Sequence, residues 1–519
     1  MHRESMIEAV LSAEEPWDVI VIGGGATGLG TAVDAASRGY RTVLLEKYDF
    51  AKGASSRSTK LVHGGVRYLQ QGNVSLVVEA LRERGILAKN APHLFQNQEF
   101  LVPVYQPWKS TIYGLELSLY NRLAGKLGLG KSGFIPPEEA LARIPTLEPE
   151  GLRGAVTYFD GQFDDSRLAI TLAQTAADLG AFPLNYCGVN AIHKTDGLVS
   201  GVEVLDELTG ETFSLSGKSI INATGIFSDA IVQMDEPEAE RMIAPSQGVH
   251  LVLDDEFLPG QTAIMIPETD DGRIIFAVSW QGKVIVGTTD QYVDTPSWEP
   301  LPTDQEIDFL LEHVGRYLTK NPTRKDIKSV FAGLRPLVKS GDGKQTDSLS
   351  RAHQIRVSSS GLMSITGGKW TTYRQMAEDV METAIPLAGL PYKPCVTREL
   401  PVHGWLLDET LDNVYGTDVS LMQDLIRQDP SLGDQIHLAM KYRKVEVVWA
   451  VRHESARTVE DILARRTRAL LHDARMSLEM APVVAEIMAD ELGCDQQWIE
   501  GQLADYASVA TGYYIATEE

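Results

Sequence analysis

The chain has 519 residues and a formal net charge of −24, from 47 Lys and Arg against 71 Asp and Glu. At roughly 150 residues per domain this length predicts two or three domains, and the 43% apolar share excludes a disordered chain and fits several packed cores. The acidic balance excludes a general nucleic-acid binder, which needs a basic face, yet it leaves room for a small basic pocket that takes an anionic substrate.

Cys187, Cys395 and Cys494 form no CxxC pair, which excludes a zinc ribbon and a disulfide scaffold and points to a reducing compartment. No apolar run approaches the ~20 residues of a membrane-spanning helix. The N-terminal residues lack the apolar core of a signal peptide. The expected location is cytoplasmic, with peripheral contact at the inner face of the cell membrane left open.

In chain order, Trp17-Asp18-Val19-Ile20-Val21-Ile22 reads as a buried strand. A glycine-rich turn follows, then a helix over Leu29 to Arg38 ended by Gly39, then a second strand over Arg41 to Glu46. Residues 76–90 and 167–180 read as helices. Val189 to His193, Val199 to Leu205 and Ser219 to Ala223 read as strands, and 246–290 alternates in strand fashion. Residues 329–374 return to mixed α/β character and end in a Gly-Gly turn before a helix. Pro391, Pro394 and Pro401 mark a linker, and 417–505 carries helical spacing, with two or three packed helices over Ala456 to Leu492.

The turn after the first strand is Gly23-x-Gly25-x-x-Gly28, and Glu46 ends the next strand 18 residues after Gly28. This strand–turn–helix–strand context is what a dinucleotide site requires. The first glycine makes the tight turn, the second admits a pyrophosphate, and the third lets helix and strand pack closely. Free N–H groups at the helix start face the phosphates. Glu46 can accept hydrogen bonds from a ribose diol. On these residues alone the nucleotide is either FAD or NAD.

Three further motifs carry the argument. Gly53-Ala54-Ser55-Ser56-Arg57-Ser58-Thr59-Lys60-Leu61-Val62-His63-Gly64-Gly65-Val66-Arg67-Tyr68-Leu69 is rich in hydroxyls and glycine, Asn222-Ala223-Thr224-Gly225 ends a strand, and Thr366-Gly367-Gly368-Lys369-Trp370-Thr371-Thr372-Tyr373 precedes a helix. With the N-terminal glycine turn, Gly287-Thr288-Thr289-Asp290 and Gly333-Leu334-Arg335-Pro336-Leu337, this set resembles the FAD-dependent glycerol-3-phosphate dehydrogenase family, within the D-amino-acid-oxidase-like flavoproteins. The resemblance spans residues 17 to 385 and extends more weakly to the helical C-terminal region.

The resemblance implies a Rossmann-like FAD-binding domain (about 17–75, 150–235 and 330–385) interleaved with a mixed-sheet substrate domain (about 76–149 and 236–329), followed by a helical cap over 391–519. It implies oxidation of glycerol 3-phosphate at C2 to dihydroxyacetone phosphate, with FAD taking the hydride. A quinone or oxygen then takes the electrons. The longer mid-chain insertion usual in related oxidases is not seen, which favours the dehydrogenase. The rivals are an FAD oxidoreductase of another hydroxy or amino acid, an NAD-linked dehydrogenase, and a non-catalytic flavin-binding module. Nothing in the sequence fixes the oligomeric state, and a homodimer is compatible with it.

The residues expected at FAD are Gly23, Gly25, Thr27, Gly28, Glu46, Ser55, Ser56, Ser58, Thr59, Leu61, His63, Gly64, Val189, Ala223, Thr224, Gly225, Gly367, Gly368 and Thr371. A phosphate grip needs an arginine fork, and Arg335 is the foremost candidate, with Arg351, Lys369 and Arg57 able to complete it. His250 and His63 compete as the base for the C2 hydroxyl. Lys109, Arg122, Lys126 and Lys131 oppose one acid, Glu116, while Ile112, Leu115, Leu119, Leu123 and Leu127 recur at helical spacing. This segment reads either as a membrane-surface helix or as an ordinary amphipathic helix packed on the core.

Overall fold

The computed structural model describes every residue except 66–72, 107–112, 114–118, 121, 268, 340–351, 407–413 and 516–519, and of Lys126 it describes the backbone. Arg351, and Lys109, Ile112, Leu115 and Glu116 of the basic segment, lie outside the described residues.

The N-terminal unit forms as its sequence dictates. The apolar strand Trp17–Ile22 runs parallel to Thr42–Leu45 on one side and to Thr212–Asn222 on the other. Phe182–Leu184 and Met363–Thr366 extend this sheet, and Gln354–Val357 closes one edge. The hairpin Cys187–Thr195 with Leu198–Asp206 continues from Thr212–Asn222. The helix Ala26–Ser37 connects the first two strands. Its Leu29, Ala32, Val33 and Ala36 share one core with Leu168 and Leu172 of the helix Asp165–Asp178 and with Met376 and Val380 of the helix Tyr373–Leu387.

A second, mostly antiparallel sheet is built around the long pair Ile243–Asp254 and Ser329–Val338 and the long pair Phe95–Val104 and Gly154–Phe163. Gly154–Phe163 and Ser329–Val338 therefore begin in the second sheet, although the segments starting near 150 and 330 were expected in the first. They find antiparallel partners there, Phe95–Val104 for the first and Ile243–Asp254 for the second.

The C-terminal helices Lys444–His453, Ala474–Leu492 and Gln496–Thr511 pack over the second sheet, with Val252, Trp280, Ile285 and Phe331 entering their core. The helical region is also pinned to the first layer. His403 lies 2.6 Å from Asp178 and 2.9 Å from Asp418, and those two carboxylates raise its pKa to about 9.

The basic segment is helical at Leu119–Tyr120 and Arg122–Ala124 and ends in the turn Gly125–Leu127. Tyr113, Tyr120 and Ala124 face the core, while Leu119 and Leu127 are 45% and 39% exposed. Leu123 of the leucine stripe packs against the same core from a partly buried position.

Candidate active site

At the carboxyl ends of the parallel strands lies a cavity of about 310 Å³, where a doubly wound sheet holds its ligand. Nine of the expected residues line it: Gly23, Gly25, Thr27, Glu46, Ser55, Val189, Ala223, Thr224 and Gly225. Gly23 turns with φ +109, and a Cβ there would meet Ala223 O at 2.7 Å. Gly28 stands behind the wall, and a Cβ on it would fall 1.9 Å from Gly23 O. The two glycines allow strand and helix to close beneath the cavity. Glu46 accepts from Gly24 N at 2.6 Å and Tyr48 N at 2.9 Å, and burial still pushes its carboxyl above the usual range. A donor such as a ribose hydroxyl adds to that arrangement without displacing it. Ser55 Oγ accepts from Ala26 N at the helix start.

The hydroxyl-rich loop leaves this cavity and enters a second one of about 170 Å³, lined by Thr59, Leu61 and His63 together with Arg335, Arg273, Asp160 and Asp290. Arg335 and the next residue, Pro336, also divide between the cavities, Arg335 in the second and Pro336 in the first. The two spaces are therefore neighbours across one loop and one strand.

Arg335 stands on the strand Ser329–Val338 opposite Ser246. Its Nη2 donates to Thr288 Oγ1 and to Thr289 O, both at 3.1 Å, and Nη1 lies 3.6 Å from Asp290. The Gly-Thr-Thr-Asp turn thus orients the guanidinium in the cavity wall. Arg273 is a second cation there, with Nε 2.8 Å from Asp271. Sequence reasoning passed over it, because an arginine after an Asp-Asp-Gly turn carries no motif. It also passed over Tyr120, whose hydroxyl accepts from Gly64 N and donates to Asp160, both at 2.7 Å. Asp160 in turn holds Arg84 at 2.6 Å.

The two histidines take different positions. His63 lines the second cavity, and its carbonyl accepts from Thr371 Oγ1 at 3.3 Å. His250 lies behind the wall, 3% exposed, with Nε2 2.9 Å from Thr59 Oγ1 and its ring stacked on Phe331 at 4.7 Å. Burial first, then the charges of Lys60 and Arg335, hold its pKa well below the usual imidazole range. His250 is therefore uncharged at neutral pH and reaches the cavity through Thr59.

Other expected residues support the cavities from behind. Ser56 and Ser58 are engaged with Lys60 and Asp165. Gly367 and Gly368 make the turn after Met363–Thr366. Lys369 is in neither lining. Nor is Arg57, whose guanidinium donates to Trp298 O at 2.7 Å and Glu299 at 2.6 Å. It ties down the segment that places Trp298 in the wall of the first cavity. The expectation that Arg57 touches substrate gives way here to a brace, since a buried arginine settles on the nearest carboxylate.

Residues 18–374 match the family described as FAD dependent oxidoreductase, and residues 363–498 match the C-terminal domain of alpha-glycerophosphate oxidase. A probable mitochondrial glycerol-3-phosphate dehydrogenase of Caenorhabditis elegans is 40% identical over 93% of this chain and 72% of its own length. A mitochondrial glycerol-3-phosphate dehydrogenase of Arabidopsis thaliana is 37% identical over 94% of this chain and 85% of its own length. Among solved structures, the glycerol-3-phosphate dehydrogenase of Bacillus halodurans complexed with FAD superposes with a TM-score of 0.77 at 28% identity, covering 99% of both chains.

Proposed function

Because the chain belongs to the FAD-dependent glycerol-3-phosphate dehydrogenase family, we propose that it oxidises sn-glycerol 3-phosphate at C2 to dihydroxyacetone phosphate and delivers the electrons to a quinone. The observation that carries this reading is the shared wall. Ser55 and Pro336 line the dinucleotide cavity, while Thr59 and Arg335, a few residues away on the same loop and strand, line a small cavity with two arginines. A substrate held there lies beside the cofactor's cavity.

The residues of the first cavity fit FAD, since the space beneath it closes only over glycine at positions 23 and 28. Bound FAD supplies the hydride acceptor. Arg335, with Arg273, grips the phosphate as a planar fork and a second cation. Thr59 and the neutral His250 receive the C2 hydroxyl proton, because Thr59 Oγ1 stands in the cavity wall and is already hydrogen-bonded to His250 Nε2. Leu61, Phe100, Met265 and Phe276 keep the remaining wall apolar and exclude water from the reacting carbon. Anaerobic reduction of the bound flavin by glycerol 3-phosphate tests the reading, and a flavin that stays oxidised contradicts it.

The finer part of the reading is the acceptor. No helix among the described residues is long and apolar enough to cross a membrane, so a lipid-soluble quinone must be met at a surface. The segment ending at Lys131 supports that role. Leu119, Leu127 and Phe134 are exposed, as are Val74 and Val78 on the adjoining helix Val74–Asn90, and Arg122 and Lys131 are exposed beside them. Each basic residue near an anionic bilayer contributes about 1 kcal/mol, screened by salt. Replacing Arg122, Lys126 and Lys131 by Gln is expected to release the protein from anionic vesicles and slow quinone reduction, while activity with a soluble dye is spared. Equal vesicle binding by both proteins would contradict the docking assignment. Faster turnover with oxygen than with a quinone analogue would replace the acceptor.

A further inference from the structure

Three arginines of the C-terminal region converge on the loops that carry the two cavities. The π-turn Asp461–Arg466 sends Arg465 and Arg466 to the buried carboxylate of Asp49, at 2.5 and 2.6 Å. Burial disfavours the ionised carboxylate, yet Arg466 and Arg465 together hold Asp49 well below its ordinary pKa. Such turns are rare and gather at functional places. Two residues further on, Arg468 takes a left-handed backbone, φ +67, and buries its guanidinium completely against the hydroxyl-rich loop.

The contacts there form one anchor. Arg468 Nη2 donates to Ser56 O at 2.7 Å and to Asp165 Oδ1 at 3.0 Å. Asp165 Oδ2 accepts from Ser58 N at 2.9 Å, Ser58 Oγ at 2.7 Å and Lys60 Nζ at 2.6 Å. Lys60 Nζ also donates to Ser56 O at 2.8 Å. One carbonyl and one carboxylate thus receive both cations, and the residues on either side of Thr59 are held by the same carboxylate. Lys60 Nζ lies 5.1 Å from the centre of the Phe331 ring, the ring that stacks on His250. The Thr59–His250 pair is fixed from two directions by groups that answer to Asp165.

We propose that Arg468 is a positioning residue for the oxidation step, acting through Asp165 on Ser58 and Lys60 and so setting where Thr59 and His250 stand against the substrate. The inference rests on the function proposed above. Arg468 lines a different, larger cavity on the C-terminal side and is absent from the lining of the second cavity, so it has no place in the substrate's own grip. Its loss leaves the buried Asp165 carboxylate and Ser56 O each with Lys60 as their one remaining cation. A misplacement of about 1 Å at a reacting group can cost about 100-fold in rate.

The network has a titration of its own. Lys60 faces Asp164 and Asp165 from the start of the helix Asp165–Asp178, Arg468 from the C-terminal region, and His250 across Phe331. Burial brings the Lys60 ammonium down to about 8, with Arg468 pushing the same way and Asp165 and Asp164 opposing. Without Arg468 the proton on Lys60 is held more tightly, and its titration moves to higher pH.

The experiment compares Arg468→Gln and Arg468→Lys with the native enzyme, each loaded with flavin. In Arg468→Gln, kcat with a soluble dye is expected to fall about tenfold or more, while KM for glycerol 3-phosphate stays within about twofold. Arg468→Lys recovers part of kcat. The visible flavin spectrum of the native enzyme is expected to change with pH around the Lys60 titration, near 8, and that change moves up in Arg468→Gln. The spectral titration needs no turnover, so it reads the network even where glycerol 3-phosphate proves not to be the substrate. Native kcat per flavin with an unmoved titration overturns the proposal, as does a loss confined to melting temperature. Should Arg468→Gln not fold, Arg468→Lys decides by the same two readings, and a native spectrum flat across that pH range overturns the proposal without any variant.

Discussion

Replacing Arg335 by Lys is expected to lower kcat/KM for glycerol 3-phosphate at least ~10-fold, or ~1.4 kcal/mol of transition-state stabilisation. Replacing it by Gln should cost ~100-fold or more, in the range of a lost hydrogen bond to a charged group in a buried site. The guanidinium is oriented by Thr288 Oγ1 and Thr289 O through one nitrogen and faces Asp290 with the other. A lysine ammonium has no planar fork and cannot meet that turn and a phosphate together. Steady-state kinetics with a soluble dye, on variants that retain flavin, measure the effect. Unchanged kinetics would remove Arg335 from the site.

Replacing Gly28 by Ala is expected to yield protein with little or no bound flavin. The new methyl would lie 1.9 Å from Gly23 O and 3.0 Å from Gly23 C, both backbone atoms of the turn. The clash is between backbone and Cβ, so no rotamer relieves it. The strand–helix unit must open, at a cost of about 3 kcal/mol or more. The flavin-to-protein absorbance ratio after gel filtration measures the outcome. A native ratio would show that the glycine turn does not support the cofactor's cavity.

The parts of the fold that were legible in the sequence are those whose cause is local. The unit from Trp17 to Glu46 is read from a β-branched apolar run, a glycine turn and a helix terminator, all contiguous. The helices Val74–Asn90 and Asp165–Asp178 and the hairpin Cys187–Asp206 follow from periodicity in the same way. What stayed hidden depends on pairing between distant segments. Gly154–Phe163 and Ser329–Val338 join the second sheet because of partners 50 to 95 residues away, which no local pattern marks.

The site divides along the same line. The expected residues that line the first cavity sit mostly in the sequence motifs, Val189 excepted. The second cavity draws Asp160 from the strand Gly154–Phe163 and Arg273 from the turn before Ile275–Trp280, and relies on Tyr120 from the basic segment, and none of these stands in a recognisable pattern. Arg57 shows the converse. Its motif placed it near the site, but Glu299, 242 residues away, takes its charge. His250 and His63 were indistinguishable as sequence, and only the bond to Thr59 separates a histidine behind the wall from one within it.

The most direct measurement of the central claim is anaerobic titration of the purified, flavin-loaded protein with sn-glycerol 3-phosphate, followed in the visible spectrum. Glycerol 3-phosphate is predicted to bleach the flavin band near ~450 nm and to form one dihydroxyacetone phosphate per flavin, whereas glycerol without the phosphate leaves the spectrum unchanged at the same concentration. A flavin that stays oxidised under glycerol 3-phosphate, or that is bleached equally by glycerol, would contradict the account.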